Sequence, residues 1–231
     1  MPLADERFLE KAHERGADAL LLDLEDSVPP AHKAAAQSPL AAIFLPKVES
    51  PEHVAAAEYL LAGCSAKLVA MIESPAAVLD AVAISRAGTR LAALVFGGED
   101  YCGLLGIPSS EAALDWPAQM VATAARARGL IALGQPGPVA EIADMEGYER
   151  LIRRARTMGF TGTLCIHPKQ VAVSNRVYTP TLEEIALATE IVAAFEAALK
   201  EGRGAFALHG KMIDAPVVDQ ARATLARIRG G

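Results

Sequence analysis

The sequence predicts an α/β protein built around a parallel sheet, and two observations lead to this fold class. Short, continuously apolar segments alternate along the chain with longer segments of helical periodicity. The apolar segments are rich in Val, Ile and Leu and lack polar alternation, which is typical of strands buried on both faces of a parallel sheet. The 231 residues are 52% hydrophobic and only 5% aromatic. They suffice for one barrel-sized domain, or two smaller ones, with an aliphatic core.

Six segments have the length and composition of buried strands. We predict strands at residues 19–24, 43–47, 68–72, 91–96, 130–133 and 162–166. Helices between successive strands of this kind form right-handed crossovers, so the strands would be parallel and their carboxyl ends would lie at one edge of the sheet.

The helices are indicated by apolar residues at helical spacing and by start and stop signals at their ends. We predict helices at residues 5–15, 51–61, 75–87, 116–128, 145–158 and 179–198. Thr181 and Glu184 have the spacing of a capping box at the start of the last of these. Beyond it, the apolar segment 208–213 leads to Asp214, which could cap a final helix running to Arg229.

Acidic residues follow two of the predicted strands directly. Glu73 comes after the strand at 68–72, and Glu99 and Asp100 come after the strand at 91–96, separated from it by Gly97 and Gly98. Ligands of α/β proteins bind at the carboxyl ends of the strands. Two carboxylates delivered there could share one Mg²⁺, which takes one or two carboxylates together with water and substrate oxygens. The alternative is that they are solvated carboxylates or helix N-caps.

The two glycines between the second strand and its acidic residues have a predicted role of their own. Gly97 and Gly98 lack side-chain bulk, so backbone N–H groups there could approach an anionic ligand. We assign them, together with Glu99, to substrate binding. A simple tight turn is compatible with the same residues.

Composition and charge exclude several classes of protein. The net charge is −6 and no basic cluster occurs, which argues against nucleic-acid binding. No apolar stretch is long enough to cross a bilayer and no signal-peptide core precedes the first predicted helix, so we expect no membrane association. Three widely spaced cysteines suit a reducing compartment, and we predict a cytoplasmic location.

The strand count falls short of a closed barrel. A (β/α)8 barrel has eight parallel strands, whereas six are predicted here. The helix after Asp26 runs into Gln37 and Ser38 with no strand before residue 43, and a helix precedes the first predicted strand. We therefore expect that two strands are absent, one at the N-terminus and one between Gln37 and Ser38.

Six motifs in order make this chain similar to the citrate lyase β-subunit family, within the HpcH/HpaI aldolase superfamily. They span nearly the whole chain and lie at residues 22–28, 45–50, 71–74, 96–101, 159–168 and 210–216. The chain departs from the family pattern where the strands are absent. Family members carry there an Arg-Ser strand and an Arg-Val-Asn strand, and the arginine of the latter binds the keto-acid carboxylate.

The resemblance implies a (β/α)8 TIM-type barrel at residues 1–178 and a C-terminal helical extension or lid at residues 179–231. By resemblance, Glu73 and Asp100 match metal ligands for Mg²⁺, and Asp214 matches an acid/base residue that reaches a neighbouring subunit's site. The family usually assembles as trimers or multiples of trimers, so a homotrimer is expected.

Three further residues are predicted to support the metal site. Glu25 and Asp26 follow the first predicted strand, and we place them behind the metal ligands, holding water on the ion. A helix N-cap at this position is an equal alternative. Lys47 ends the second predicted strand and is expected near the carboxylates, although a salt bridge to Glu73 or Glu49 is at least as good an interpretation as substrate contact.

The function implied by the resemblance is a Mg²⁺-dependent carbon–carbon lyase. Its substrate would be a citryl-, malyl- or citramalyl-type thioester of coenzyme A or an acyl carrier protein, and it would release a keto acid and an acyl thioester. One alternative is a thioester hydrolase or malate synthase-like condensation at the same site. The other is a non-catalytic subunit of a citrate lyase complex.

Overall fold

The computed structural model describes residue 14 and residues 16–21, 41–140 and 142–228. The chain divides into two compact units, Met1–Asn175 and Arg176–Gly231. The sequence had placed the corresponding boundary after residue 178.

The described strands of the first unit form one parallel sheet in the order β1–β2–β3–β4. The strands are β1 Ala42–Leu45, β2 Lys67–Ile72, β3 Leu91–Phe96 and β4 Ile131–Leu133. Aligned pairs in the register are Leu45↔Ala70, Ala70↔Leu94 and Val95↔Leu133. Because all four strands run in the same direction, their carboxyl ends lie at one edge of the sheet, and this edge carries the candidate site.

Seven helices connect or follow these strands in the described part of the first unit, the last of them ending beyond the unit boundary. They are α1 Pro51–Leu60, α2 Pro75–Leu79, α3 Ala81–Ile84, α4 Gly98–Leu105, α5 Glu111–Arg126, α6 Met145–Met158 and α7 Pro168–Tyr178. Ser110 caps α5 by accepting the N–H of Ala113, and Asp144 caps α6 by accepting the N–H of Gly147. The long helix α5 packs against β3 and β4 through buried small and aliphatic side chains such as Val121 and Ala125.

Beyond the end of α7, the described residues of the second unit form two helices and a hairpin. They are α8 Leu182–Lys200, the antiparallel strands β5 Phe206–Leu208 and β6 Lys211–Ile213, and α9 Ala215–Leu225. The core of this unit consists of Phe195, Ile213 and Val218. His209 and Gly210 form the hairpin turn with positive φ angles of 49° and 75°, the backbone that two-residue hairpins prefer.

Several predicted elements are confirmed. Four predicted strands correspond to β1–β4, the helix predicted at 145–158 has the bounds of α6, and the helix predicted at 51–61 differs from α1 by one residue. The capping box of Thr181 and Glu184 is present at the start of α8. Asp214 caps α9, which ends at Leu225 rather than Arg229.

Two predicted helices are wrong in part. The helix predicted at 75–87 is two short helices, because Asp80 leaves the helical region at φ −98° and ψ 8°. The helix predicted from 116 starts at Glu111, where Ser110 provides the cap. Two further helices, α4 and α7, and the hairpin were not predicted.

The strand predicted at residues 162–166 is not formed, although the structure describes all five residues. A single parallel bridge joins Leu133 and Gly162. Beyond it, the N–H groups of Ile166 and His167 both donate to the side-chain Oε1 of Gln170, at 2.9 and 3.0 Å. These donors are therefore engaged by a side chain and do not extend a ladder.

The predictions that concern the N-terminal region lie largely outside the described residues. Residues 19–21 are described and form no strand, whereas the rest of the predicted strand at 19–24 and nearly all of the helix at 5–15 are outside. Among the described helices, none is both long enough and apolar enough to cross a membrane.

Candidate active site at the carboxyl edge of the sheet

A cavity of about 170 Å³ opens at the carboxyl ends of β2, β3 and β4. It is lined by the residues that directly follow these strands, together with strand-end and loop side chains. Glu73 comes from the end of β2, residues 97–100 from the end of β3, and Gly134, Gln135 and Gly137 from the end of β4. Three of the lining residues are acidic, namely Glu73, Glu99 and Asp100.

Glu73 is buried, with only 7% of its surface exposed, and its carboxylate is held by the backbone of the neighbouring strand end. Its Oε2 accepts the backbone N–H of Lys47 at 2.9 Å. The N-cap of the following helix α2 is Ser74, which accepts the N–H of Ala77 at 3.1 Å. Glu73 is therefore not the helix cap that one alternative interpretation offered, and it lines the cavity.

Asp100 lies in a different environment on the same cavity. It is exposed and belongs to the first turn of α4, whose N-cap is Gly97. A carboxylate in the first turn of a helix is stabilised by the exposed backbone N–H groups of that turn. The structure thus brings Glu73 and Asp100 to one cavity from two successive strands, as the sequence predicted.

Gly97 is needed at its position because Glu73 lies against it. A Cβ atom added to Gly97 would lie 2.6 Å from Cγ and 2.8 Å from Oε1 of Glu73, closer than real Cβ contacts. The Gly97 N–H donates to the carbonyl of Ile72 at 3.0 Å and so continues the β2–β3 pairing. The expectation that this N–H faces an anionic ligand is therefore wrong for Gly97, and the space serves the Glu73 side chain instead.

Gly98 and Glu99 complete the loop after β3. A Cβ on Gly98 would lie 3.1 Å from the two methyl groups of Leu114, so the glycine permits close packing of α4 on α5. Glu99 is exposed, and its Oε2 accepts the Ser109 hydroxyl at 2.6 Å. Both residues line the cavity, and their role in substrate binding stays a prediction.

Two polar residues of the cavity were missed by the sequence reasoning. Gln135 is 5% exposed; its Oε1 accepts the Thr163 hydroxyl at 2.8 Å, and its Nε2 donates to the Pro138 carbonyl at 3.1 Å. The signal was present in the segment 134–138, Gly-Gln-Pro-Gly-Pro, which follows a predicted strand in the same way as the acidic motifs do.

The remaining predicted site residues fall into three groups. The backbone of Lys47 contacts Glu73, as described above. Glu25 and Asp26 lie outside the described residues. Asp214 belongs to the second unit, where it is half-buried and accepts the N–H of Val217 at 3.5 Å as the N-cap of α9.

The donor set of the cavity suits a hard divalent cation. Within the described ranges no group of three or more His, Cys, Asp and Glu residues could hold a metal ion. Two carboxylates with space for water are nevertheless what Mg²⁺ commonly uses, since the ion keeps several waters and takes one or two carboxylates. Glu73 and Asp100 fit that pattern, and the cavity has room for several water molecules beside them.

An acidic cavity at the carboxyl edge of a parallel sheet defines a class of α/β protein, and comparison with known proteins identifies the family. The model of the HpcH/HpaI aldolase/citrate lyase family matches residues 37–168. The chain therefore belongs to this family, which confirms the resemblance drawn from the six motifs.

Individual relatives agree with this assignment. The chain is 34% identical to the human protein named citramalyl-CoA lyase, mitochondrial, over 79% of this chain and 58% of that protein. It is 30% identical to the citrate lyase subunit beta-like protein of Mycobacterium tuberculosis, over 96% of this chain and 91% of that protein. A crystal structure of M. tuberculosis CitE in complex with magnesium, acetoacetate and coenzyme A has a TM-score of 0.78 at 28% identity, covering 96% of this chain and 93% of that one.

The lengths of these alignments bear on the strand deficit. The chain spans just over half the length of the first curated relatives that it matches, 58% in the human protein. The alignment with the M. tuberculosis relative extends over 262 positions, more than the 231 residues of this chain. Some positions of that relative therefore have no counterpart here, as expected if segments are absent.

Proposed function

We propose that this protein is a Mg²⁺-dependent carbon–carbon lyase that cleaves a β-hydroxy acyl thioester into a keto acid and an acyl thioester. The observation that carries the proposal is the presence of Glu73 and Asp100 on one cavity, at the carboxyl edge of a parallel sheet. Relatives named citramalyl-CoA lyase and L-malyl-CoA/beta-methylmalyl-CoA lyase support this reaction class and a coenzyme A thioester as substrate.

The proposed architecture of the whole protein is a (β/α)8 barrel. Four consecutive parallel strands in chain order, with helices between them, are what one side of such a barrel contains. The parallel bridge from Leu133 to Gly162 lies where the next strand of a barrel would begin. In barrels of this kind the active site lies at the carboxyl ends of the strands, which is where the acidic cavity is found.

Glu73 and Asp100 would hold the magnesium ion. When bound there, the ion supplies Lewis-acid polarisation and orients the hydroxyl and the neighbouring carboxylate of the substrate. The backbone contact that fixes Glu73 presents its carboxylate in one orientation, so little reorganisation is needed on binding. Gln135 and Thr163 also line the cavity, and their polar side chains would contact substrate oxygens.

The bond changes of the cleavage can be written around one protein group, Asp214. The substrate hydroxyl gives its proton to a water molecule in the cavity and becomes a carbonyl as the adjacent carbon–carbon bond breaks. The electron pair of that bond passes to the thioester fragment as an enolate, which Asp214 from a neighbouring protomer would protonate at carbon. In this chain the Asp214 carboxylate caps α9 through a long hydrogen bond to Val217, so an exchange of partners would accompany the proton transfer.

A role for Asp214 in a neighbour's site requires assembly, and we propose a homotrimer. Light scattering coupled to size-exclusion chromatography measures the mass of the particle. About three times the 24.2 kDa of one chain is expected, and a monomer that turns over substrate would exclude the shared site.

The experiment that tests the function is a product analysis. The protein is incubated with citramalyl-, malyl- and citryl-CoA, with Mg²⁺ or with a chelator, and the products are separated. A keto acid and an acyl-CoA formed only with the metal are expected. Free coenzyme A as the product would indicate the hydrolase instead. A lack of turnover on all three thioesters, with migration in a larger hetero-complex, would indicate the non-catalytic subunit.

Two substitutions of Asp214 separate its proposed acid/base role from its role as a helix cap. Asp214→Ser keeps a good N-cap, so the free energy of unfolding should change by less than about 0.5 kcal/mol, whereas Asp214→Ala should lose about 1 kcal/mol. Both variants remove the acid/base group and should lower kcat by about 10²- to 10⁴-fold. Undiminished kcat in the Ser variant would restrict Asp214 to its structural role as a helix cap.

A further inference from the structure

We propose that the backbone turn at Lys47 positions the Glu73 carboxylate for cation binding, and that Gly97, which leaves space for the Glu73 side chain, completes this seat. The inference rests on the proposed function, because it takes Glu73 as a ligand of the metal. It makes Lys47 and Gly97 positioning residues, whose effect on the ion passes through Glu73.

The turn that carries Lys47 is fixed on both sides. Before it, Leu45 is paired with Ala70 in the parallel register of β1 and β2. After it, the N–H of Val48 donates to the Met71 carbonyl at 3.2 Å, and the Val48 side chain is buried with 2% exposure. The backbone between these two anchors has little freedom, so the direction of the Lys47 N–H is determined by the sheet.

Lys47 itself has an uncommon backbone conformation. Its φ angle is +51°, and the only other described non-glycine residue with a positive φ is His209 in the hairpin turn. A lysine in this region is strained relative to glycine, which adopts it at no steric cost. In this conformation the Lys47 N–H donates to Oε2 of Glu73 at 2.9 Å. Strain of this kind concentrates at functional sites, where the surrounding structure maintains it.

The opposite side of the carboxylate is bounded by Gly97. A methyl group at this position would overlap Cγ and Oε1 of Glu73, at 2.6 and 2.8 Å. The Glu73 side chain therefore lies between a backbone donor at Lys47 and a backbone without a side chain at position 97. These two contacts restrict the rotamer of Glu73.

A backbone role for Lys47 and a role for its side chain predict different effects of substitution at this position. A salt bridge or substrate contact made by the ammonium group would be lost equally in every variant that lacks the lysine side chain. A backbone role depends only on whether the new residue accepts φ near +50°. Glycine accepts it readily, asparagine tolerates it, and a β-branched valine strongly disfavours it.

The test compares Lys47→Gly, Lys47→Asn and Lys47→Val by calorimetric titration with Mg²⁺ alone. We expect the Val variant to bind Mg²⁺ about 10- to 100-fold more weakly than the Gly variant, the usual cost of losing a group that orients a metal ligand. The Asn variant should lie between the two or close to Gly. Equal affinities in the Gly and Val variants, whether both retained or both lost, would overturn the inference.

Two controls keep the outcome interpretable. Thermal unfolding identifies any variant that does not fold, and if Lys47→Val fails this check, Gly97→Ala tests the same seat from its other side and should also weaken Mg²⁺ binding about tenfold or more. Unchanged affinity in a folded Gly97→Ala variant would likewise overturn the inference. Glu73→Gln tests the metal assignment separately: retained binding there would refute the proposed function, whereas lost binding there with equal Gly and Val variants would refute only the role of the turn.

Discussion

The two carboxylates of the cavity differ in almost every physical respect. Glu73 is 7% exposed, ends a central strand and is held by a backbone N–H. Asp100 is exposed and lies in the first turn of a helix that follows a neighbouring strand. A buried carboxylate is costly to ionise unless it is hydrogen-bonded or paired with a cation, whereas an exposed one is solvated at little cost. If the two residues hold the ion as proposed, Glu73 would fix its position and Asp100 would adapt to it.

The largest effect is expected from Glu73→Gln. The amide keeps the shape of the side chain but removes the negative charge, so Mg²⁺ affinity should fall by at least about 100-fold, the upper end of what the loss of a supporting group costs. Isothermal titration with Mg²⁺ measures this. Glu146→Gln, which changes an exposed carboxylate in the first turn of α6, is the matched control and should leave the affinity unchanged.

A smaller effect is expected from Asp100→Asn. Because this carboxylate is exposed, water can occupy its place in the coordination shell, and the loss should be about tenfold rather than 100-fold. The same titration gives the ratio of the two losses. If Asp100→Asn weakened binding more than Glu73→Gln, the assignment of the fixed and the adaptable ligand would have to be reversed.

Alanine at position 97 and alanine at position 98 should lower the free energy of unfolding by different amounts. Gly97→Ala forces the Glu73 side chain or the backbone to move, and overpacking of this kind costs about 1–3 kcal/mol in the free energy of unfolding. A Cβ at position 98 would meet the two methyl groups of Leu114 at 3.1 Å and Cε1 of Phe96 at 3.4 Å, so Gly98→Ala should cost about 1 kcal/mol or less. Urea denaturation compares the two variants, and equal losses would mean that Glu73 can relax away from position 97.

The smallest effect is expected at the rim of the cavity. Ser109→Ala removes the hydroxyl that donates to Glu99, an exposed contact, and should change the free energy of unfolding by about 0–1 kcal/mol. A loss above about 2 kcal/mol would show that the pair is more than a surface contact.

The position of Glu73 and Asp100 could be predicted from the sequence because it depends only on where the two strands end. The apolar segments before Glu73 and Asp100 are long and uninterrupted, and parallel strands bring their carboxyl ends to one edge. The end of helix α6 was predicted because Gly159 provides a stop signal, and in the structure Asp144 caps its start.

Other features have no signature in the side chains of a single sequence. The N–H of Lys47 contacts Glu73 from a residue with a positive φ angle, and a lysine gives no reason to expect such an angle. The strand predicted at 162–166 is reduced to one bridge at Gly162, and at its end the buried side chain of Gln170 engages the N–H groups of Ile166 and His167. The strands of the hairpin have three residues each, too few for an alternating pattern to stand out.

A crystal structure of the protein soaked with Mg²⁺ and pyruvate would test directly whether Glu73 and Asp100 bind one ion together. We expect one ion in the cavity, with an oxygen of Glu73 and an oxygen of Asp100 each at about 2.0–2.1 Å and the remaining positions filled by water and keto acid. An ion that contacts neither carboxylate, or only one of them while the other points into solvent, would contradict the account.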